Sequence, residues 1–183
     1  MSQETIPETV APTTPVDDLL CGFVPPHTLA LALGTDELEA DGDVFRDSSA
    51  ANEVSTATCT VSIPEHDDPD GALSVRVDFA MGLALDDLER RLASKDTRVP
   101  EELGVGVSWT EDGEPRVEGS SGQRGHTVIG RGNWVIPVDV GVSPEGRDPA
   151  ADATAIAAHV TQTLPLGTEW TIRGDPPSVL TNR

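Results

Sequence analysis

The stretch A-L-S-V-R-V-D-F-A-M, residues 72–81, alternates apolar and polar side chains with a period of two. The apolar residues run from Leu73 to Met81 at every second position, and Ser74, Arg76 and Asp78 stand between them. This period is typical of a half-buried β-strand. The same alternation runs through residues 57–63, and turn-forming residues separate the two segments. Together they predict a β-hairpin.

Three helices are predicted around these strands. The first lies between Pro25 and Gly34, because proline suits a first helical turn and glycine suits a helix end. The second covers residues 85–95, where leucines recur at helical spacing between acidic residues at the start and basic residues at the end. The third begins with Asp148 as a cap and Pro149 at the first position.

The remaining segments complete the predicted fold. Residues 35–55 are predicted to form an acidic loop, and further strands are predicted at 105–109, 115–119, 127–130 and 134–142. The element order is therefore roughly α-β-β-α-β-β-β-β-α. With no repeated β-α-β pattern, this order predicts an α+β domain with an antiparallel sheet and helices packed on one face.

The composition divides the chain into three parts. Residues 1–16 are rich in Thr, Pro and Glu without periodicity, which predicts a disordered tether. Residues 17–172 are predicted to form a single domain, and residues 173–183 a loose C-terminal tail. A tether at a chain start is what remains when an export signal or anchor is removed. We therefore expect the native protein to be attached to the cell envelope, although the sequence shows no basic and apolar signal segment at its start, a pattern that by itself indicates a cytoplasmic protein.

Acidic residues dominate the charge of the chain. There are 32 acidic and 12 basic residues, which give a net charge of −20. Such a surface repels phosphate groups, so nucleic acid and anionic membrane surfaces are excluded as expected partners. No segment approaches the roughly 20 apolar residues of a membrane helix, so this chain is not expected to insert directly into a membrane. The acid excess serves solubility, or else recognises a basic partner or a cation.

Several motifs together resemble a known family. They are C-G-F-V-P-P-H-T-L-A-L-A-L-G at 21–34, A-T-C-T-V-S at 57–62, L-S-V-R-V-D-F at 73–79, W-V-I-P-V-D-V at 134–140 after a Gly-Asn hairpin, and A-D-A-T-A-I-A-A-H-V at 151–160. This pattern resembles actinobacterial cell-envelope lipoproteins and sensor domains of unknown function. The group is similar to the extracytoplasmic sensor domain of a mycobacterial serine/threonine kinase. The resemblance covers about residues 17–166, and it implies an extracytoplasmic location.

The resemblance also implies a disulfide. In that family the first cysteine, at the head of the first helix, is expected to bond the second, on the following strand; here these are Cys21 and Cys59. A bond closing a loop of about 39 residues stabilises by roughly 4 kcal/mol in the chain-entropy model. The alternative is two unbonded thiols in a cytoplasmic protein.

One turn carries candidate metal ligands. His66, Asp68 and Asp70 imitate half of a calcium loop, but its twelfth position is Val77, where a bidentate Glu is required. The same residues also suit a solvated hairpin turn. We therefore assign no metal and no other cofactor from the sequence.

The Gly-rich stretch 119–132 carries the densest cationic group of the chain. Arg124, His126 and Arg131 are predicted as possible ligand contacts. The stretch lacks the lysine of a phosphate-binding loop. A catalytic triad assembled from Ser120 or Ser121, His126 and Asp139 has no spacing that would fix its geometry, so no catalytic residue is assigned.

The sequence thus predicts a non-enzymatic extracytoplasmic binding or sensor domain tethered to the envelope. A small ligand or a protein partner would bind in a groove between sheet and helices. The alternative is a cytoplasmic acidic protein that binds a basic protein partner. A hydrolase is a third hypothesis, and it requires His126 within hydrogen-bond reach of a serine.

Overall fold

The computed structural model describes residues 18–47, 53–64, 71–94, 96–116 and 118–166. These residues form three α-helices, seven strands and a short 3-10 helix at Glu101–Leu103. The elements in chain order are α1 Pro26–Leu33, β1 Glu39–Asp47, β2 Glu53–Ser62, β3 Leu73–Phe79, α2 Gly82–Leu92, β4 Thr97–Arg98, β5 Val105–Asp112, β6 Gln123–Arg131, β7 Trp134–Val140 and α3 Pro149–Thr163.

The seven strands form one antiparallel sheet in the order β1-β2-β3-β7-β6-β5-β4. One meander contains β1 to β3 and a second contains β4 to β7. They join where β3 pairs with β7, with Ser74 opposite Asp139 and Asp78 opposite Val135. The ladder is interrupted at Arg76 and Val77, because Pro137, which faces this part of β3, has no N–H to donate. The predicted α+β class and antiparallel sheet are confirmed.

The ends of α1 and α3 follow the sequence signals. Pro26 lies in the first turn of α1, and Gly34 ends the helix in the left-handed region at φ 74°. Asp148 caps α3, since its side chain accepts hydrogen bonds from the backbone N–H groups of Ala150 and Ala151. Pro149 follows at the first helical position. Both predicted helices are confirmed.

One face of the sheet is covered by α1 and α3, and we call it the α1/α3 face. Its core includes Ile129 and Ile136, on β6 and β7, packed with Ile156 of α3. The first turn of α3 rests directly on β6, because a Cβ at Gly125 would lie 1.9 Å from the carbonyl oxygen of Pro149. A larger residue at that position would push the helix off the strand.

The opposite face carries α2, and we call it the α2 face. Leu88 and Leu92 pack there in a separate small core with Val107, Val128 and Val135. Val128 and Ile129 are consecutive on a strand, so they point to opposite faces. The expectation that helices pack on one face therefore holds for α1 and α3, whereas α2 lies on the other. The physical reason is that β6 and β7 are apolar on both sides and give α2 a surface to bury.

The expected acidic loop at residues 35–55 is wrong, because it contains β1 and the start of β2. β1 is an edge strand with mostly exposed side chains, so it has little apolar patterning. It also contains Gly42, where a Cβ would lie 2.0 Å from the carbonyl oxygen of Thr58. The strand expected at 115–119 is likewise wrong, since the residues described there form no strand and β6 begins at Gln123.

The predicted tether at 1–16 and the tail at 173–183 lie outside the described residues, as do residues 167–172 of the predicted domain. Across the described ranges, no helix is both long enough and apolar enough to span a membrane.

The disulfide between Cys21 and Cys59 is present, with a Cα–Cα distance of 5.6 Å. Cys21 lies in the turn before α1, and Cys59 is buried in β2 opposite Val75 of β3. The bond therefore anchors the start of α1 to the first meander of the sheet. It joins residues 38 positions apart.

We expect the Cys21→Ser/Cys59→Ser double variant to lose about 4 kcal/mol of unfolding free energy, because the unfolded chain regains the entropy of an open loop. Urea denaturation of both proteins measures the difference. Reductant should destabilise the native protein to the same extent and leave the double variant unchanged. A loss well below 1 kcal/mol would contradict this role for the bond.

Candidate functional site

The register of the sheet aligns side chains in rows on the α2 face, since directly opposed residues of antiparallel strands point to the same side. One row is polar and aromatic and runs from β3 to β5 through Ser74, Asp139, His126 and Trp109. The neighbouring row is apolar and contains Pro137, Val128 and Val107. A polar network and an apolar floor therefore lie side by side.

An aromatic stack lies at the centre of the polar row. The rings of Trp109 and His126 are nearly parallel, with centroids 5.0 Å apart and an interplanar angle of 13°. The Arg91 guanidinium, near the end of α2, lies 3.7 Å from the centroid of the Trp109 ring. Such a cation–π contact contributes roughly 0.5–2 kcal/mol. It fastens the C-terminal end of α2 to β5.

Glu111 connects the members of this stack. Its carboxylate accepts a hydrogen bond of 2.9 Å from the Trp109 indole N–H. It lies 3.7 Å from Arg91 Nη2 and 3.7 Å from His126 Nε2. The pKa of Glu111 is lowered, chiefly by the hydrogen bond from Trp109, while burial acts against the shift and the neighbouring charges of His126, Arg91 and Arg124 add to it.

His126 is held from its other side by Asp139. The distance from His126 Nδ1 to Asp139 Oδ1 is 2.7 Å, and Nδ1 carries the proton because a carboxylate accepts. Ser74 Oγ donates to the second oxygen of Asp139 at 3.4 Å. His126 Nε2 is buried and has no hydrogen-bond partner among the described residues. This ring is therefore a cross-strand link and is not open to a substrate.

The three cationic residues expected as ligand contacts are not brought together. Arg124 and His126 lie on the α2 face of β6, where Arg124 is opposite Glu111. Arg131 is an odd-numbered residue of the same strand and so points to the other face. Its Nη1 donates to the backbone carbonyls of Glu102 and Leu103, at 2.8 Å and 3.2 Å. Arg131 thus holds the 3-10 helix in place.

The catalytic triad considered from the sequence, Ser120 or Ser121 with His126 and Asp139, is only partly present. His126 and Asp139 are hydrogen-bonded, as such a triad would need. Ser121 Oγ instead accepts from the backbone N–H of Gln123, and no serine among the described residues is hydrogen-bonded to His126. The condition set for the hydrolase hypothesis is therefore not met.

The candidate metal ligands His66, Asp68 and Asp70 lie outside the described residues. Within the parts of the chain that are described, no three His, Cys, Asp or Glu residues form a cluster that could hold a metal ion.

An open groove lies beside the polar network, between α2 and the sheet. We call it the α2 groove; its volume is about 540 Å³, and it is lined by Arg76, Asp78, Met81, Leu83, Ala84, Asp87, Val128, Val135 and Pro137. The two rim residues Met81 and Leu83 are 63% and 88% exposed. The volume lies in the usual range of ligand sites, about 300–1,000 Å³.

Sequence reasoning missed most of this site. The hairpin at Gly132 and Asn133 pairs Arg131 with Trp134, and counting back along it places His126 opposite Asp139. That pairing was therefore available from the sequence. The contacts of Arg91, Trp109 and Glu111 depend on α2 crossing to the other face, and no local pattern indicated that.

The Trp109→Phe variant removes the indole donor, so we expect the pKa of Glu111 to rise towards its ordinary value. A lowered pKa means that the ionised Glu111 stabilises the native state above its unfolded-state pKa, and that this contribution is lost as pH falls through the native pKa. Acid-induced loss of stability should consequently be smaller in the variant. NMR titration of the Glu111 side chain measures the shift. Trp134→Phe is the matched control, and an equal shift there would contradict the assignment.

Compared with protein-family models, curated proteins and solved structures, the chain matches none. The resemblance to actinobacterial envelope proteins therefore stays a prediction.

Proposed function

We propose that this chain is a non-enzymatic binding or sensor domain that works outside the cytoplasm, tethered to the cell envelope. The α2 groove is its binding site. A single observation carries the proposal: the most exposed large apolar side chains of the described residues, Met81 and Leu83, stand together on the rim of an open groove with an apolar floor.

The floor of the groove supports binding by shape and polarity. Val128 and Val135 are almost fully buried beneath it, and Pro137 lies opposite Val128 and two residues along β7 from Val135. Few polar groups border this floor, and those that do are charged: Arg76 Nε lies 3.6 Å from Asp78 Oδ2. An apolar floor with a few charged groups at its edge is the usual form of a ligand site.

The start of α2 indicates that the rim is kept apolar at a cost. Met81 occupies the N-cap position and makes no side-chain cap hydrogen bond. Ser, Thr, Asp or Asn at that position would satisfy an orphan backbone N–H and stabilise the helix by about 0.5–2 kcal/mol. A methionine there gives up the cap and exposes apolar surface, as expected where binding and stability compete.

The disulfide supports the extracytoplasmic part of the proposal. Such bonds persist in oxidising compartments and are rare in the cytoplasm. The cytoplasmic alternative requires two unbonded thiols, whereas Cys21 and Cys59 are bonded. The observation that still favours the cytoplasmic alternative is the net charge of −20, which suits the binding of a basic protein partner.

Met81→Ser tests the groove without the risk of unfolding the domain. We expect it to raise the unfolding free energy by about 0.5–2 kcal/mol, because serine caps α2. It should at the same time weaken binding of the uncharged apolar dye Nile red, measured by fluorescence titration. A merely structural methionine would give the first effect without the second.

Leu83→Ser and Leu31→Ser form the matched pair for the same titration. Both leucines are exposed and helical, but Leu31 lies on α1, away from the groove. We expect Leu83→Ser to weaken dye binding severalfold and Leu31→Ser to leave it unchanged. Equal effects, or no dye binding by the native protein, would overturn the groove as a site.

The compartment is tested by a thiol count on protein from its native host. We expect denaturing alkylation and intact mass to show Cys21 and Cys59 modified only after reduction. Alkylation of both without reductant would favour the cytoplasmic alternative.

A further inference from the structure

The α2 face continues beyond the α2 groove as a surface that no described helix covers, and we call it the open surface. α2 packs on β5, β6 and β7, and its small core contains no residue of β1, β2 or β3. The register extends the rows of the face across these strands, so that Asp41 lies opposite Thr60 and Thr60 opposite Ser74. The next row places Asp43 opposite Thr58, which lies opposite Arg76 at the groove.

The charges on this open surface have one dominant sign. Its described side chains on β1, β2, β3 and β7 include five carboxylates and one guanidinium; they are Glu39, Asp41, Asp43, Asp78, Asp139 and Arg76. Between the carboxylates of β1 and the groove lies β2, whose side chains on this face include the hydroxyls of Thr58 and Thr60. A neutral polar strip thus separates an apolar groove from an acidic edge.

The spacing between these features follows from sheet geometry. Three strand intervals of about 4.8 Å separate β7, which carries part of the groove floor, from β1. The carboxylates of β1 therefore lie roughly 14 Å from the groove. An extended peptide advances about 3.3–3.6 Å per residue. About four residues therefore bridge the distance.

We propose that the occupant of the α2 groove is an extended basic segment of a partner protein, lying across the strands. A large apolar side chain fills the groove, and Lys or Arg side chains about four residues away meet Asp41 and Asp43 on β1. This inference rests on the proposed function, since it names the partner of the same groove. The net charge of −20 attracts such a segment from a distance and accelerates its capture.

The probe is a set of fluorescein-labelled peptides in which Leu, Ile, Met or Phe stands one, four or eight residues from a pair of arginines. Binding to the full chain is measured by fluorescence anisotropy at low and at physiological salt. We expect the tightest binding at a spacing of four residues and weaker binding as salt rises. Peptides with glutamates in place of the arginines should not bind.

Two pairs of variants locate the peptide on the surface. Asp41→Asn/Asp43→Asn should weaken binding of the peptide with the four-residue spacing roughly three- to tenfold, as expected for two charge contacts near a surface. Glu101→Gln/Glu102→Gln changes the net charge equally on exposed residues of the 3-10 helix and should have no effect. Met81→Ser should weaken peptide binding as well, because it removes part of the groove rim.

The outcomes separate the failure of the peptide inference from the failure of the groove as a binding site. Nile red binding without binding of any basic peptide overturns the peptide inference and leaves the groove as a site for another ligand. Equal losses in both carboxylate pairs would show attraction by net charge alone, and would also overturn it. Absence of Nile red binding by the native protein would contradict the groove as a binding site, and both proposals with it.

Discussion

The structure depends on burying β6 and β7 on both faces. These neighbouring strands carry Ile129 and Ile136 towards α1 and α3, and Val128 and Val135 towards α2. A strand that is apolar on one side needs one covering layer, whereas these two strands need helices on both sides of the sheet. The position of α2, and with it the polar network and the groove, follows from this requirement.

α2 is held unevenly along its length. Its C-terminal end is fixed by Arg91 on Trp109 and by the leucines of the small core. Its N-terminal end has an uncapped Met81 and an exposed Leu83 beside the groove. The residues that hold the C-terminal end of α2 are thus separate from the apolar residues at its N-terminal end, which would meet a ligand. Substitutions at the apolar end would therefore leave the contacts of Arg91 and the leucines in place.

Much of the fold could be predicted from the sequence, because local signals agreed with tertiary structure. Pro26 with Gly34 bounded α1, and Asp148 with Pro149 started α3. β1 escaped prediction because an exposed edge strand rich in aspartate has no apolar alternation to detect. The candidate site was predictable only in part. His126 was singled out for its charge, yet the structure makes it a link between Asp139 and Trp109. Arg131 points to the opposite face from His126 because the two residues are an odd number of positions apart on one strand.

The two ends of the described domain meet on the α1/α3 face. Thr163 Oγ1, at the end of α3, donates a 2.7 Å hydrogen bond to the backbone carbonyl of Phe23, just before α1. Leu166 is buried in the same core that receives Leu20. A mechanical load applied through both ends would therefore act first on the contact between α1 and α3, and the Cys21–Cys59 disulfide would pass part of that load to β2. The α2 face lies on the other side of the sheet from this contact, so the two ends of the described domain and the α2 groove are on opposite faces.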